Sequence, residues 1–243
     1  DGTICLDNDV FEGAVDAVER MKKQGRVLFL TNNSSKTPDG YVDKLNKMGF
    51  NVTLDNIYTS AMSATDYLKT YHDGKKTYLF ANKAVKEEFI RLGIKNEEKT
   101  PELAVIAFNT EFYYDELEKL CNFIREGVPF ICTHDDINCP TVRGSKPDVG
   151  SYLALIEKST GKKPIAVCGK PYSIMGDCIR SICGLDSDEI AMFGDRLATD
   201  IKFGINNNFV TTLVLTGEAT QSDAEESGLN IDFMLPSICD WDK

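Results

Sequence analysis

No stretch of this chain stays apolar for the roughly 18 to 20 residues that cross a bilayer, so a membrane-spanning helix is excluded. Lysine-rich runs are missing as well, and a formal net charge of −11 leaves a surface that repels phosphate backbones and anionic lipid. Nucleic acid and membrane are thereby set aside as partners. The opening residues carry neither the basic nor the apolar region of a signal peptide. No Cys-x-x-Cys pair, internal repeat or low-complexity tract occurs. The eight cysteines are scattered, mostly among apolar neighbours, as expected of reduced core thiols in a cytoplasmic protein. Cys132, His134 and Cys139 match no zinc-finger spacing, so zinc is not expected there.

What the chain does have is apolar material: 243 residues, 42% hydrophobic, enough for one large domain or two smaller ones. Two are expected. Amphipathic stretches end at Gly25, Gly49, Gly93, Gly127, Gly161, Gly184 and Gly204, each a candidate left-handed C′ residue. Between them lie short runs rich in branched or aromatic residues: Val27 to Leu30, Val128 to Ile131, Ile190 to Phe193 and Val210 to Val214. Such runs are too short for helices and read as buried parallel strands, so the alternation predicts an α/β fold with a parallel sheet. The middle of the chain, 75–164, repeats the α/β pattern by itself and is long enough for an inserted domain.

Polar residues collect just after the strands, at the carboxyl ends where open α/β sheets bind ligands. Asp195 follows the run Ile190 to Phe193 directly, with Gly194 at the turn, and Asp200 comes one helical turn later. That spacing brings two carboxylates toward a common point, hard oxygen donors of the kind Mg²⁺ prefers. For Asp200 the plainer reading is N-terminal helix capping with Thr199, and both roles can hold together. Arg196 beside the acid either reaches substrate or caps the site. Thr31, Asn32 and Asn33 sit where another strand gives way to a helix whose first turn holds Lys36, Thr37 and Pro38. Their hydroxyl, amide and backbone N–H groups suit phosphate oxygens, and suit equally well an N-cap cluster with Ser34 and Ser35. Lys170 lies between Gly169 and Pro171, which fix the backbone and point one compact cation, although most lysines are solvated surface groups. Asp1-Gly2 taken alone is an ordinary turn dipeptide.

In this order, Asp1-Gly2-Thr3, Leu30-Thr31-Asn32-Asn33, Gly169-Lys170-Pro171 and Gly194-Asp195-Arg196-Leu197-Ala198-Thr199-Asp200 resemble the four motifs of the haloacid dehalogenase (HAD) superfamily of phosphatases. The likeness is closest to its NagD and 4-nitrophenyl phosphatase branch and covers nearly the whole chain. It implies a Rossmann-like parallel-sheet core at 1–74 and 165–243, with an α/β cap inserted at 75–164. It further implies a Mg²⁺-dependent phosphatase acting on small phosphorylated metabolites such as sugar phosphates, nucleoside monophosphates or aryl phosphates, through an aspartyl-phosphate. Carried over residue by residue, Asp1 becomes the general acid and base, its main-chain carbonyl and Asp195 become metal ligands, and Asp200 a ligand or an orienter of one. Lys170, Thr31 and Asn32 then hold the phosphate, with Asn33 and Arg196 beside them.

The family's first motif reads Asp-x-Asp-Gly-Thr with the nucleophile leading, and the 243 residues begin at the second Asp. We expect the leading Asp to lie upstream in the intact protein, which an intact mass tests. A non-catalytic phosphate-ligand-binding protein of this fold is the alternative, and a transferase or a metal-independent dehalogenase on the same scaffold is a further rival. In the cap, Thr133-His134-Asp135-Asp136 stands where the family often has Thr-Asn-x-Asp, facing the active site, so His134 and Asp135 are candidates for substrate choice. A polar loop that merely stabilises the cap is the plainer reading for either one. Tyr113 and Tyr114 suit helix-start packing better than ring stacking, and Arg143-Gly144-Ser145-Lys146 is the cap's cationic patch. The resemblance also implies a cap that contributes to homodimers.

Overall fold

Leu103, Ala104, Val105 and Ile106 have no exposed surface at all, which an apolar run achieves only as a strand covered on both faces. In the computed structural model, which describes residues 2–139, 141 and 144–243, this strand is the centre of a five-stranded sheet. The order is Ala166–Val167, Phe130–Cys132, Leu103–Ile106, Lys76–Phe80, Lys95–Asn96, and every neighbouring pair is parallel. Helices Lys83–Arg91, Tyr114–Arg125 and Val149–Thr160 supply the crossovers that parallel pairing requires. Phe80, Phe112 and Tyr152 pack edge-on or tilted in its core, with Tyr78 against Phe123. Lys95–Asn96 is the exposed edge strand, where a lysine discourages further strand addition.

The chain divides into two compact units. The five-stranded sheet belongs to the unit made of 30–41 and 58–169, which holds the whole of 75–164 together with flanking segments. The other unit, 1–29, 42–57 and 170–243, is built on a parallel sheet in the order Ala191–Gly194, Val210–Val214, Phe233–Leu235. Ile201, Leu213, Ala219 and Ala224 form a core cluster of this unit. Its helix Ala14–Lys22 is tied to the chain's end by Arg20, whose Nε donates to Asp242 at 2.7 Å.

The strand expected at Val210 to Val214 forms over those residues, and the expected runs at Val128 and Ile190 form one or two residues later, as Phe130–Cys132 and Ala191–Gly194. The run at Val27 shortens to Phe29–Thr31 and is only half-buried. Gly49, Gly93, Gly127, Gly161 and Gly184 take the left-handed φ expected of them. Gly25 does not, and Gly204 lies inside the helix Lys202–Asn206, where a β-carbon would stand 2.5 Å from Thr211 Cγ2. Gly204 is therefore a close-packing residue between helix and strand. Among the described residues no helix is long and apolar enough to cross a membrane.

Two glycine substitutions separate these roles. Gly204→Ala overpacks the contact with Thr211 and should cost about 1–3 kcal/mol. Gly25→Ala meets open space with an ordinary φ and should be neutral or stabilising, by up to about 1 kcal/mol. Urea unfolding midpoints of the two variants check both; equal losses would contradict the assignment.

Candidate active site

The strand Ala191–Gly194 delivers Asp195 at its carboxyl end, and the residues after it turn back through a π-helical stretch, Leu197–Ile201. Gly194 is required at this point because a β-carbon there would lie 2.2 Å from Asp200 Cβ. Asp195 and Asp200 are 3% and 5% exposed, so two like charges share a dry corner of the unit. Asp200 lies inside the π-helical turn, whose N-cap is Arg196, and its side chain reaches back to that residue. Its Oδ2 accepts the Arg196 N–H at 3.2 Å, and its Oδ1 accepts Lys170 Nζ at 2.6 Å, with Lys170 itself only 8% exposed. The Lys170–Pro171 bond that precedes helix Ser173–Cys183 is cis.

The two carboxylates are held in different states. Burial alone would raise the Asp200 pKa, but the Lys170 charge and hydrogen bond, with the Arg196 N–H, bring it below the usual aspartate value. Asp195 is raised instead, first by burial and then by the charge of Asp200, against partial relief from the Glu218 N–H and the Thr3 hydroxyl. Those donors stand at 3.0 Å from Oδ2 and 3.2 Å from Oδ1. Both are neutral groups.

Around Asp195 the backbone comes unusually close. A β-carbon at Gly2 would stand 2.0 Å from its Oδ2, and one at Gly217 would stand 2.1 Å from the same atom. Gly2 takes a left-handed φ of 83° and its N–H closes a turn on the Cys5 carbonyl at 2.7 Å, the sharp bend expected of it. Thr216 Oγ1 donates to the Gly2 carbonyl at 2.7 Å, which fastens the N-terminal turn to the loop after Val210–Val214. Asp1 lies outside the described residues; Gly2 and Thr3, which follow it, both meet the Asp195 carboxylate.

Sequence reasoning does not single out Thr216, Gly217 and Glu218, although they follow a buried strand just as Asp195 does. Glu218 also explains Arg196, whose Nε donates to it at 3.0 Å in a half-exposed pair. Such a pair contributes little to stability, and it turns Arg196 toward Glu218.

In the other unit, Thr31 and Asn33 are half-buried and Asn32 is 7% exposed. The segment is organised as a chain of local turns: Thr31 Oγ1 accepts from the Asn33 N–H at 3.1 Å, and Asn33 Oδ1 accepts from Ser35 N at 3.0 Å and Ser35 Oγ at 2.7 Å. The helix begins only at Pro38, with Thr37 Oγ1 accepting from Gly40 N, so capping falls to Thr37 and not to residues 31–33. Asn32 Nδ2 donates to Asp136 Oδ2 at 3.1 Å. His134 has no exposed surface, and its Nε2 meets Asp148 Oδ1 at 2.9 Å, so substrate contact through its ring is closed off in this arrangement. Asp135 is half-buried. Tyr113 and Tyr114 are largely exposed at the start of their helix, and Phe112 is the aromatic that packs there. In the cationic patch Gly144, Ser145 and Lys146 are exposed, and Arg143 lies outside the described residues.

Among the described residues no three His, Cys, Asp or Glu side chains gather as a metal cluster. The residues present nevertheless fit a hard divalent cation. Among the described residues they supply two buried carboxylates against one buried ammonium, an Asp195 whose hydrogen-bond donors are neutral, and in the same turn a buried Thr199 hydroxyl with no hydrogen-bond partner.

Comparison with known proteins identifies the family. Residues 1–95 match the family model for haloacid dehalogenase-like hydrolases, and residues 167–241 match a second HAD-hydrolase-like model. An acid sugar phosphatase of Staphylococcus aureus is 32% identical over 232 residues, covering 94% of this chain and 89% of that protein. The chain belongs to the HAD-like hydrolases. Among solved structures, a 4-nitrophenylphosphatase of Thermotoga maritima superposes with a TM-score of 0.94 at 37% identity, covering 98% of this chain and 92% of the other. NagD of E. coli K-12 gives 0.91 at 29% identity, covering 100% and 95%. The NagD-like branch is thereby supported, as is an α/β architecture with parallel sheets.

Because folding raises the Asp195 pKa, ionisation of Asp195 opposes folding: its favourable contribution is intact below the unfolded value and is lost as pH rises through the folded one. Asp195→Asn should therefore melt higher than the natural protein in metal-free buffer at pH 7. The difference should shrink as pH falls toward about 4. Melting curves in EDTA test this; a variant less stable at pH 7 would contradict it.

Proposed function

We infer that this HAD-like hydrolase is a phosphoric monoester hydrolase that requires Mg²⁺ and acts on small phosphorylated metabolites. The observation that carries the reading is the buried set of two carboxylates and one lysine at the carboxyl end of a parallel strand, wrapped by Gly2 and Gly217. Phosphate monoesters are extremely inert, so turnover demands neutralised phosphoryl charge and an oriented nucleophile. A bound Mg²⁺ would supply that neutralisation, held by Asp195 and the Asp1 carbonyl, with Asp200 as a ligand or an orienter.

Lys170, fixed by Asp200, presents its ammonium to the phosphoryl oxygens and to the nucleophilic Asp that the family motif calls for. That carboxylate takes the phosphoryl group as an aspartyl-phosphate. Asp1 protonates the leaving oxygen and then accepts a proton from the attacking water. Thr31, Asn32 and Asn33 are assigned to phosphate by their place in the motif order, and Arg196 to holding Glu218 at the site's edge. Asp135 is the better candidate of the cap pair for meeting the leaving group.

Sugar phosphates, nucleoside monophosphates and aryl phosphates are the substrate classes we propose, in a cytoplasmic protein whose cap, 75–164, supports a homodimer. Acid sugar and 4-nitrophenyl phosphatases among the relatives support a small-molecule substrate.

The full-length protein should release phosphate from 4-nitrophenyl phosphate with Mg²⁺ and stop in EDTA. Asp195→Asn should lower kcat by about 10³-fold, several kcal/mol of transition-state stabilisation. Lys170→Ala should weaken orthophosphate inhibition and also destabilise the fold, since it strands buried Asp200. Turnover that survives EDTA, or normal rates in Asp195→Asn, would overturn the reading.

A further inference from the structure

Behind Asn32 runs a buried polar chain that the chemistry above does not use. Ser34, Ser60, Thr133 and His134 have no exposed surface. Ser34 Oγ accepts the Phe108 N–H at 2.9 Å and lies 2.8 Å from Thr133 Oγ1. Thr133 Oγ1 lies 3.0 Å from His134 Nδ1, and Asp148 Oδ1, facing Nε2, also accepts the Val149 N–H at 2.7 Å. An ionised carboxylate only accepts, so Nε2 carries a proton. In the neutral ring Nδ1 is then an acceptor beside the Thr133 hydroxyl, whose proton is shared between it and the Ile106 carbonyl at 3.4 Å, while Thr133 Oγ1 accepts from Ser34. Every donor along the line from Phe108 to Asp148 thus finds an acceptor.

A branch from this line reaches Asn32 twice. Ser60 Oγ donates to the Asn32 main-chain carbonyl and lies 3.5 Å from His134 Nδ1. On the loop that continues from His134, Asp136 receives the Asn32 amide. Close packing completes the grip, because a β-carbon at Gly169 would stand 2.6 Å from Asn32 Oδ1. A fully satisfied buried network favours one arrangement over others more sharply than apolar packing does.

We propose that His134 is a positioning residue for phosphate binding, holding the loop 133–136 against the Asn32–Ser34 segment so that Asn32 is set before substrate arrives. This rests on the reading of Asn32 as a phosphate ligand. Two substitutions divide the ring's bonds. His134→Gln keeps a donor toward Asp148 and loses the acceptor for Thr133; His134→Asn keeps a polar atom near Thr133 and deserts Asp148. Thr133→Val removes the hydroxyl that joins His134 to Ser34.

The full-length protein with Mg²⁺ is assayed for KM on 4-nitrophenyl phosphate, inhibition by orthophosphate, and melting temperature. His134→Gln and Thr133→Val should raise KM and the orthophosphate inhibition constant together by about tenfold, with kcat within about twofold. His134→Asn should keep both constants near the natural values yet show the lowest melting temperature of the His134 pair. That inversion of the two rankings is what a purely structural role cannot produce. If His134→Gln does not fold, Thr133→Val decides alone. Unchanged constants in these variants, while Asn32→Ala raises both, would overturn the proposal and leave Asn32 as a phosphate ligand. Unchanged constants in Asn32→Ala would overturn the Asn32 reading and this proposal with it.

Discussion

Two buried carboxylates against one buried ammonium is the constraint on which the unit carrying Asp195 depends. Lys170 compensates Asp200 at 2.6 Å, while Asp195 finds only neutral donors among the described residues and has a pKa raised by burial and by the charge of Asp200. A buried charge without compensation is costly, so a site of this kind is stable chiefly when something positive is added to it. The geometry around Asp195 follows from that demand. Gly2, Gly194 and Gly217 crowd against Asp195 and Asp200 where any side chain would collide, bringing backbone from the N-terminus and from the ends of two parallel strands to the same small volume.

The other unit meets a different demand with similar means. Its sheet is dry and apolar, yet a line of hydroxyls and one imidazole runs beside the Asn32 segment. Polar groups can be kept there because each finds a partner, and together they fix a loop that apolar contacts would leave free to shift. The Asp148 carboxylate serves twice, closing the line and capping the helix Val149–Thr160.

Much of this was legible in the sequence. The strand at Val210 to Val214, the α/β alternation and the spacing of Asp195 and Asp200 are local patterns, and local patterns survive folding. Other features depend on residues distant in the chain. Gly204 resembles a helix-ending glycine until Thr211 is known to lie against it. His134 reads as a loop residue facing substrate, because its burial depends on Asp148, Thr133 and Ser60 meeting around it. The loop Thr216 to Glu218 was overlooked because no charged pair or glycine-rich motif marks it, although its place after a buried strand gave the same cue as Asp195.

In the proposed function the surplus negative charge at Asp195 seats a divalent cation. The decisive measurement is the melting temperature of the full-length protein, titrated with Mg²⁺ from a metal-free start, beside Asp195→Asn treated identically. Ligand binding to the native state raises melting temperature as concentration passes the dissociation constant. A saturable rise is expected for the natural protein and none for the variant. A natural protein indifferent to Mg²⁺, or a variant that responds equally, would contradict it.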